Sequence, residues 1–238
     1  MIDARLNIIE KRLKSIKRII AISSGKGGVG KSMVASSIAI ALSKKYKVGL
    51  LDLDFYGPST HIIINAFDNK PVEENGLIPS FVGKIKFMSI IYFTENKAAP
   101  LKGKDIINAI VELLAITIWG NLDFLIIDMP PGIGEEVMAI IKFMKKADFV
   151  VVTTPSILSW ETVKKLLIFL KNNKCNILGV VENMIMEKSI KSEIEKMSNY
   201  LGEIHFNHEI EKYIGKPDKI MSSNFGKEIE EIVRRIEK

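Results

Sequence analysis

The sequence predicts an α/β protein with a doubly wound, mostly parallel sheet that carries helices on both faces. Continuous apolar runs of strand length alternate with runs of helical periodicity, as expected for buried parallel strands joined by crossover helices. Several apolar runs end in glycine-rich or acidic segments, and ligands of such sheets bind beyond the carboxyl ends of the strands. The 238 residues, 47% of them hydrophobic, are sufficient for one large core.

Charge, cysteine content and the length of apolar runs exclude several classes of protein. Residues 1–18 contribute +4 of the net charge of +6, so the rest is nearly balanced, which argues against a broad nucleic-acid surface. The single cysteine, Cys175, excludes an intramolecular disulfide and favours a reducing compartment. No uncharged apolar stretch reaches the roughly 18 residues of a transmembrane helix, and the chain start lacks a signal-peptide core. We therefore expect a cytoplasmic protein without a transmembrane segment.

The first segment, residues 1–18, is predicted to be a basic amphipathic helix that precedes an ATPase-sized domain over residues 19–238. Its apolar residues recur at helical spacing, namely Ile2, Leu6, Ile9, Leu13 and Ile16. This stripe fits either a partner or an anionic membrane surface. The commoner arrangement is a helix that packs on its own domain.

The next segment predicts a phosphate-binding loop between a strand and a helix. An apolar strand from Ile19 runs into glycines, and a helix-forming run follows from Met33 to Leu42. Residues 25–32 match G-x-x-x-x-G-K-[ST], in which glycines let the backbone approach phosphates, the lysine faces the β- and γ-phosphates and the hydroxyl suits Mg²⁺. The predicted nucleotide-binding residues are Gly25, Lys26, Gly27, Gly28, Val29, Gly30, Lys31, Ser32 and Met33.

A second lysine in this loop, Lys26, has little room to point inwards. It resembles the signature lysine of the deviant Walker A ATPases, the group of MinD, ParA and the nitrogenase iron protein. That resemblance implies a lysine that reaches across a dimer to the partner's nucleotide, where it stabilises transition-state charge as an arginine finger does. The alternative is a solvent-exposed loop lysine.

Two acidic strand ends follow the loop. Lys47–Asp54 reads as a buried strand, which places Asp54 near the phosphates to hold a Mg²⁺-bound water or orient the attacking water. Asp52 would lie on the same face, but deeper. The alternative for Asp54 is a helix N-cap ahead of Pro58.

The second acid, Asp128, ends a buried strand over Phe124–Ile127, the position of a Walker B acid that anchors Mg²⁺ through water. Pro130 and Pro131 stop any helix there. Gly132 or Gly134 is then able to offer a free N–H to a γ-phosphate.

The remaining elements complete the alternation. We predict a turn at Asn75–Gly76, strands over residues 84–93, 147–154, 176–182 and 201–206, and helices over residues 102–119, 156–170, 188–200 and 227–237. Asn183, at the end of a strand, could read an adenine edge, since an amide both donates and accepts; the alternative is a turn residue. His205 and His208 have metal-like spacing without a supporting cluster.

These motifs together resemble the Mrp/ApbC family of P-loop ATPases, which are iron–sulfur cluster carriers or scaffolds. The resemblance rests on SGKGGVGKS, LLDLDFYGPS, WGNLDFLIIDMPPGIGE, VVTTPS and LGVVENM, in order within residues 18–221. It implies a homodimeric, slow ATPase that uses ATP, ADP and Mg²⁺ and serves iron–sulfur apo-proteins. By position it assigns nucleotide and Mg²⁺ roles to Lys26, Lys31, Ser32, Asp54, Asp128 and Asn183.

One departure from the family concerns the cluster ligands. Cluster-binding members carry C-x-x-C shortly after ENM, whereas this chain has NMIMEKSIKSEIEKMSNY without a cysteine, and such clusters ordinarily need about four thiolates. The resemblance therefore transfers the ATPase residues but not an iron–sulfur cluster site, which suggests a cluster-free paralogue or the partner of a cysteine-bearing subunit. The alternative function is a MinD/ParA-like nucleotide switch that positions a partner on a membrane or nucleoid.

Overall fold

The computed structural model describes residues 5–94 and 104–238 of the chain. The strands in these ranges are β1 (Ile16–Ser24), β2 (Val48–Asp52), β3 (Val72–Glu73), β4 (Leu77–Ile78), β5 (Ser80–Val82), β6 (Ile85–Ser89), β7 (Leu122–Asp128), β8 (Ala147–Thr153), β9 (Asn176–Ile185) and β10 (Tyr200–His205). The helices are α1 (Arg5–Leu13), α2 (Lys31–Ser43), α3 (Thr60–Ile63), α4 (Ile91–Thr94), α5 (Lys104–Ile116), α6 (Glu135–Phe143), α7 (Ile157–Asn172), α8 (Lys191–Glu195), α9 (Ile210–Tyr213), α10 (Pro217–Ser222) and α11 (Asn224–Ile236).

The main sheet has eight strands in the order β10-β9-β8-β1-β7-β2-β6-β5. All neighbouring pairs are parallel except β5 with β6, which form an antiparallel hairpin at one edge. The strands β1, β7 and β2 therefore end side by side, with Asp52 level with Asp128 across β2 and β7. The predicted fold class is confirmed.

Apolar side chains cover both faces of the sheet, as the continuous apolar runs predicted. Along β1, Ile19 and Ala21 belong to one buried cluster, and the alternate residues Ile20 and Ile22 belong to the other. The first cluster includes residues of α1, α5, α6 and α7, and the second includes residues of α2, α10 and α11. The helices thus bury their apolar faces against opposite sides of one sheet.

The amino-terminal helix is shorter than predicted. It ends at Leu13, and Ile16 already belongs to β1; the predicted Ile2 lies outside the described residues. Ile9 is fully buried in the core, and contacts are concentrated between α1 and α5. The apolar stripe is therefore used inside the protein, which is the commoner of the two arrangements that the sequence left open.

Local hydrogen bonds explain two further wrong predictions. The strand predicted over residues 84–93 ends at Ser89, whose hydroxyl accepts the N–H of Ile91 at 3.2 Å as α4 begins. The helix predicted over residues 188–200 is confined to α8, because Val180 N donates to Asn199 O at 2.8 Å and returns the chain to the sheet edge.

Other helix ends moved by a few residues. The helix predicted over residues 102–119 is described from Lys104, its first two residues lying outside the described ranges, and it ends at Ile116. Ile118 N instead donates to Leu77 O at 2.7 Å, which attaches the chain to β4. Within residues 5–94 and 104–238, no helix is both long and apolar enough to traverse a bilayer.

We expect Ile9→Ala to lower the free energy of unfolding by about 2–4 kcal/mol, because it leaves a cavity at a fully buried site. Urea denaturation measures this loss. The neighbouring variant Ile8→Ala is the matched control, since Ile8 is 46% exposed, and it should cost less than about 1 kcal/mol. Equal losses for both variants would contradict the packing of α1 described above.

Candidate functional site

The loop between β1 and α2 has the backbone of a phosphate-binding loop. Gly28 and Gly30 adopt φ angles of 79° and 80°, a left-handed conformation that favours glycine. Gly30 is the N-cap of α2, and no described side chain caps this helix start. The first amides of α2 are therefore available to an anion, which the helix dipole also favours at this end.

Two neighbouring elements hold the loop in place. A Cβ on Gly25 would lie 2.5 Å from Thr162 Oγ1 on α7, so the loop can only approach α7 this closely with glycine at that position. From the other side, Asn183 Nδ2 donates to Val29 O at 2.8 Å. The loop is thus fixed between α7 and β9.

Asn183 lies within β9 and not at its end, so its predicted position as a strand-terminating residue is wrong. Its side chain is buried, and its amide nitrogen is used by the loop carbonyl. The structure therefore brings Asn183 to the loop, while its contact with adenine stays a prediction.

Lys31 lies at the centre of a buried group of charges. Its Nζ is 2.5 Å from Asp128 Oδ1 and 3.6 Å from Asp54 Oδ2, and the exposed fraction of the Lys31 side chain is only 6%. Asp52 completes the group through its position level with Asp128. The structure thus brings together the loop lysine and the two acids that the sequence placed at neighbouring strand ends.

Backbone amides orient Asp54. Its Oδ1 accepts hydrogen bonds from the N–H groups of Tyr56 at 3.2 Å and Gly57 at 3.1 Å, which leaves Oδ2 facing Lys31. The N-cap of the following helix is Ser59. The alternative of Asp54 as that N-cap is therefore wrong.

Burial shifts the pKa values of the two deeper acids. Burial, followed by the charge of Asp128, raises the pKa of Asp52 to about 7, against hydrogen bonds from Thr60 and from the N–H of Asp54. The Thr60 hydroxyl donates to Asp52 Oδ2 at 2.6 Å. Burial also raises the pKa of Asp128, and the adjacent Lys31 is the strongest opposing influence.

The oxygen atoms in this group fit a magnesium ion. Asp128 Oδ2 is buried and has no hydrogen-bond partner in the described part of the chain. Ser32 follows Lys31 in the first turn of α2, and its hydroxyl is close enough to lower the pKa of Asp128. Carboxylate and hydroxyl oxygens are hard ligands that suit Mg²⁺, so Ser32, Asp54 and Asp128 have the right chemistry to hold one.

The two loops beyond the acids contact each other. The Tyr56 hydroxyl lies 3.2 Å from Glu136 Oε1 at the start of α6. Gly132 N donates to Ser24 O at 2.8 Å, so it is not the free N–H that the sequence suggested for a γ-phosphate. Gly134, the alternative, is the N-cap of α6. The contacts made by Thr60, Thr162 and Glu136 were missed by sequence reasoning, because no motif marks them.

The Lys26 side chain forms no ion pair with the described residues. Its side chain is partly exposed, and among the residues whose structure is given no carboxylate lies within ion-pair distance of it. Within the described residues, this lysine is therefore free for a ligand or for solvent.

The described residues do not fit an iron–sulfur cluster. Cys175 precedes β9 at the end of the sheet opposite the phosphate-binding loop, and burial raises the pKa of its thiol, which disfavours the thiolate that metals require. His205 Nδ1 pairs with Glu228 Oε1 at 2.7 Å, and the His208 ring packs edge-on to Phe206. Across both described ranges, no three His, Cys, Asp or Glu side chains are grouped to hold a metal.

The fold and this site are those of a P-loop NTPase. A family model described as ParA, NUBPL iron-transfer P-loop NTPase, matches residues 15–238. The chain belongs to this family, and its resemblance to the Mrp/ApbC proteins is confirmed.

Known proteins agree with this assignment. The iron–sulfur cluster carrier protein of Aquifex aeolicus is 40% identical over 187 residues, which cover 73% of this chain and 49% of the relative. The chain thus spans about half the length of several curated relatives it matches. A nucleotide-binding protein from Archaeoglobus fulgidus, solved with ADP, superposes with a TM-score of 0.77 at 29% identity, over 92% of this chain and 94% of that one. MinD of Pyrococcus horikoshii, at 20% identity and a TM-score of 0.72 over 93% and 96% of the two chains, shares the fold.

We expect Asp52→Asn to gain stability relative to the wild type as pH rises. The folded chain holds the Asp52 proton up to about pH 7, whereas the ordinary pKa is 3.8. The contribution of Asp52 to the free energy of unfolding is therefore complete below pH 3.8 and is lost as pH rises to about 7. Each pKa unit of difference between the folded and unfolded chain corresponds to about 1.4 kcal/mol of that free energy. Asparagine does not titrate and keeps an oxygen for Thr60.

Urea denaturation in EDTA, repeated between about pH 4 and pH 8, measures the difference between the two proteins. Asp68→Asn, at an exposed aspartate, is the matched control and should follow the wild type. Parallel curves for Asp52→Asn and the wild type would contradict the raised pKa.

Proposed function

We propose that this protein binds ATP with Mg²⁺, hydrolyses it slowly as a homodimer and serves iron–sulfur cluster assembly or transfer. The observation that carries this proposal is the placement of Lys31 at the amino terminus of α2, in contact with acids from two strand ends. A lysine, a hydroxyl and carboxylates at a glycine-rich helix start are the parts that phosphoryl-transfer sites share. The solved relative from Archaeoglobus fulgidus, which holds ADP, supports the same choice of ligand.

In this proposal, residues 25–33 hold the phosphates through their backbone amides. Lys31 turns its ammonium group from Asp128 towards the β- and γ-phosphates, to which its three N–H donors can bind. Ser32, Asp54 and Asp128 are the residues that would hold Mg²⁺, which neutralises charge on the β- and γ-phosphate oxygens when bound. Asp54 is already oriented by two backbone amides and is placed to position the attacking water.

Lys26 completes the site of the second subunit. Among the described residues it has no carboxylate partner, which supports this role, since a cation that acts in trans must be free to leave its own loop. Asn183 contributes by holding the loop at Val29 and, through its remaining oxygen, by reading the adenine edge.

The iron–sulfur role rests on the family and on the names of the curated relatives. With one cysteine per chain, the cluster is cargo held by a cysteine-bearing paralogue or an apo-protein partner. The nucleotide cycle of this chain then controls that partner. The cytoplasmic location expected from the single cysteine stays a prediction. We do not propose the MinD-like alternative, because the amphipathic helix that suggested it packs on α5.

We expect Lys26→Ala to reduce ATP hydrolysis by about 10²-fold or more, since cations supplied in trans contribute about 10³–10⁵ to such reactions. Phosphate release measures the rate, and calorimetry with Mg-ADP should show nearly unchanged affinity. Lys45→Ala, an exposed lysine beyond α2, is the matched control. Wild-type turnover by Lys26→Ala would refute the trans role while leaving nucleotide binding intact.

We expect anaerobic reconstitution with ferrous iron and sulfide to leave the desalted protein with far less than one iron per chain, because the thiolates are missing. Iron analysis and absorption spectra measure the result, with Cys175→Ser as the control. Stoichiometric iron in the wild type that disappears in Cys175→Ser would show that two subunits share a cluster through Cys175. The proposal that a partner protein holds the cluster would then be wrong.

A further inference from the structure

A cavity lies at the end of the sheet opposite the phosphate-binding loop. Its volume is about 650 Å³, and its lining includes Tyr46, Lys47, Phe81, Gly83, Lys84 and Lys86. It lies where α2 ends and where β2, β6 and β7 begin. The strand β2 runs from Val48 at this cavity to Asp52 near the phosphate-binding loop. The four residue steps between them separate the cavity from the nucleotide site by roughly 13 Å.

Three lysines surround this cavity. Lys84 stands in the two-residue turn between β5 and β6, next to Gly83 at a φ of 59°. Lys86 lines the cavity, its Nζ donates to Trp119 O at 2.7 Å, and Nζ lies 5.7 Å from the centre of the Phe81 ring across the hairpin. Lys47 precedes β2.

The positive charges of the cavity are not matched by acids in its wall. None of the residues that line it is an aspartate or glutamate. In the portion of the chain that the structure covers, Lys47, Lys84 and Lys86 form no ion pair. Burial and the charge of Lys47 lower the pKa of Lys86, as expected for a cation that lacks a counter-charge.

The nearest carboxylates are engaged outside the lining. Asp123 pairs with Lys17 at 2.7 Å and accepts the backbone N–H of Lys47 at 2.9 Å. Glu237 approaches the Tyr46 hydroxyl and raises its pKa. The cavity thus combines a lining with three lysines and no acid with an aromatic wall, Phe81, that is 60% exposed.

We propose that this cavity binds a small oxyanion, a phosphate ester or a polycarboxylate, at a site separate from the nucleotide. The ammonium groups of Lys47, Lys84 and Lys86 bind the anion in the space between them. An apolar portion of the ligand packs on Phe81. Its volume lies in the range of small-molecule sites. A concave cavity of this size favours a small anion over an acidic protein segment.

The test is residue-resolved amide NMR of the full chain titrated separately with pyrophosphate, citrate and hexaglutamate. We expect pyrophosphate or citrate to shift the amides of Val48, Gly83 and Asn121, and the preferred anion tells a phosphate ligand from a carboxylate one. Shifts at residues 25–33 report the phosphate-binding loop and are counted separately. Binding in the cavity should weaken with salt, since it is electrostatic.

The variant Lys47→Ala/Lys84→Ala should weaken binding in the cavity at least tenfold and leave shifts at residues 25–33 unchanged. Both side chains are exposed, so the fold is retained, and Lys45→Ala is the matched control. Absence of shifts at the cavity with pyrophosphate and citrate, equal binding by the double variant, or tighter binding of hexaglutamate than of either small anion would each overturn the proposal. Loss of loop shifts alone would concern the nucleotide site and not this cavity.

Discussion

The contact of one buried ammonium group with two carboxylates determines the geometry of the site. Lys31, Asp54 and Asp128 lie together at strand ends where water is largely excluded. Ionised groups are costly to bury unless they are paired, and removal of one partner leaves the others uncompensated. The sheet register places the acids, and the α2 start places the lysine. In the proposed function, polyphosphate and magnesium would take the place of these contacts, so that no charge is left unpaired.

The sequence was most informative where backbone conformation and charge are restricted locally. The glycine-rich loop and the acids at the ends of two apolar runs predicted the site, because each signal lies within about ten residues. Contacts between distant segments carried no such signal. Asn183 bonds to Val29 across 154 residues, and the end of α1 at Leu13 depends on the pairing of β1 with its neighbours. These tertiary contacts override local periodicity, which is why element ends moved.

The phosphate-binding residues that define the family and the one cysteine that could bind iron lie far apart in this chain. The parts that handle phosphates sit at one end of the sheet, whereas Cys175 lies at the other, in a setting that disfavours its thiolate. A buried carboxylate, and not a thiolate, organises the region after β9. Buried Glu182 accepts hydrogen bonds from Ser189 Oγ at 2.6 Å and Ile190 N at 2.7 Å. This segment is therefore a polar, hydrogen-bonded turn in place of a thiolate site.

The close approach of Gly25 to Thr162 makes two distant positions interdependent. A methyl group at residue 25 needs space that only a smaller side chain and a displaced backbone on α7 could release, since the neighbouring Thr162 carbonyl carbon is also within 2.6 Å. A loop recombined from another ATPase scaffold must therefore keep glycine at the position of residue 25. A chimaera whose loop carries any side chain at that position would bring its Cβ into the backbone of α7.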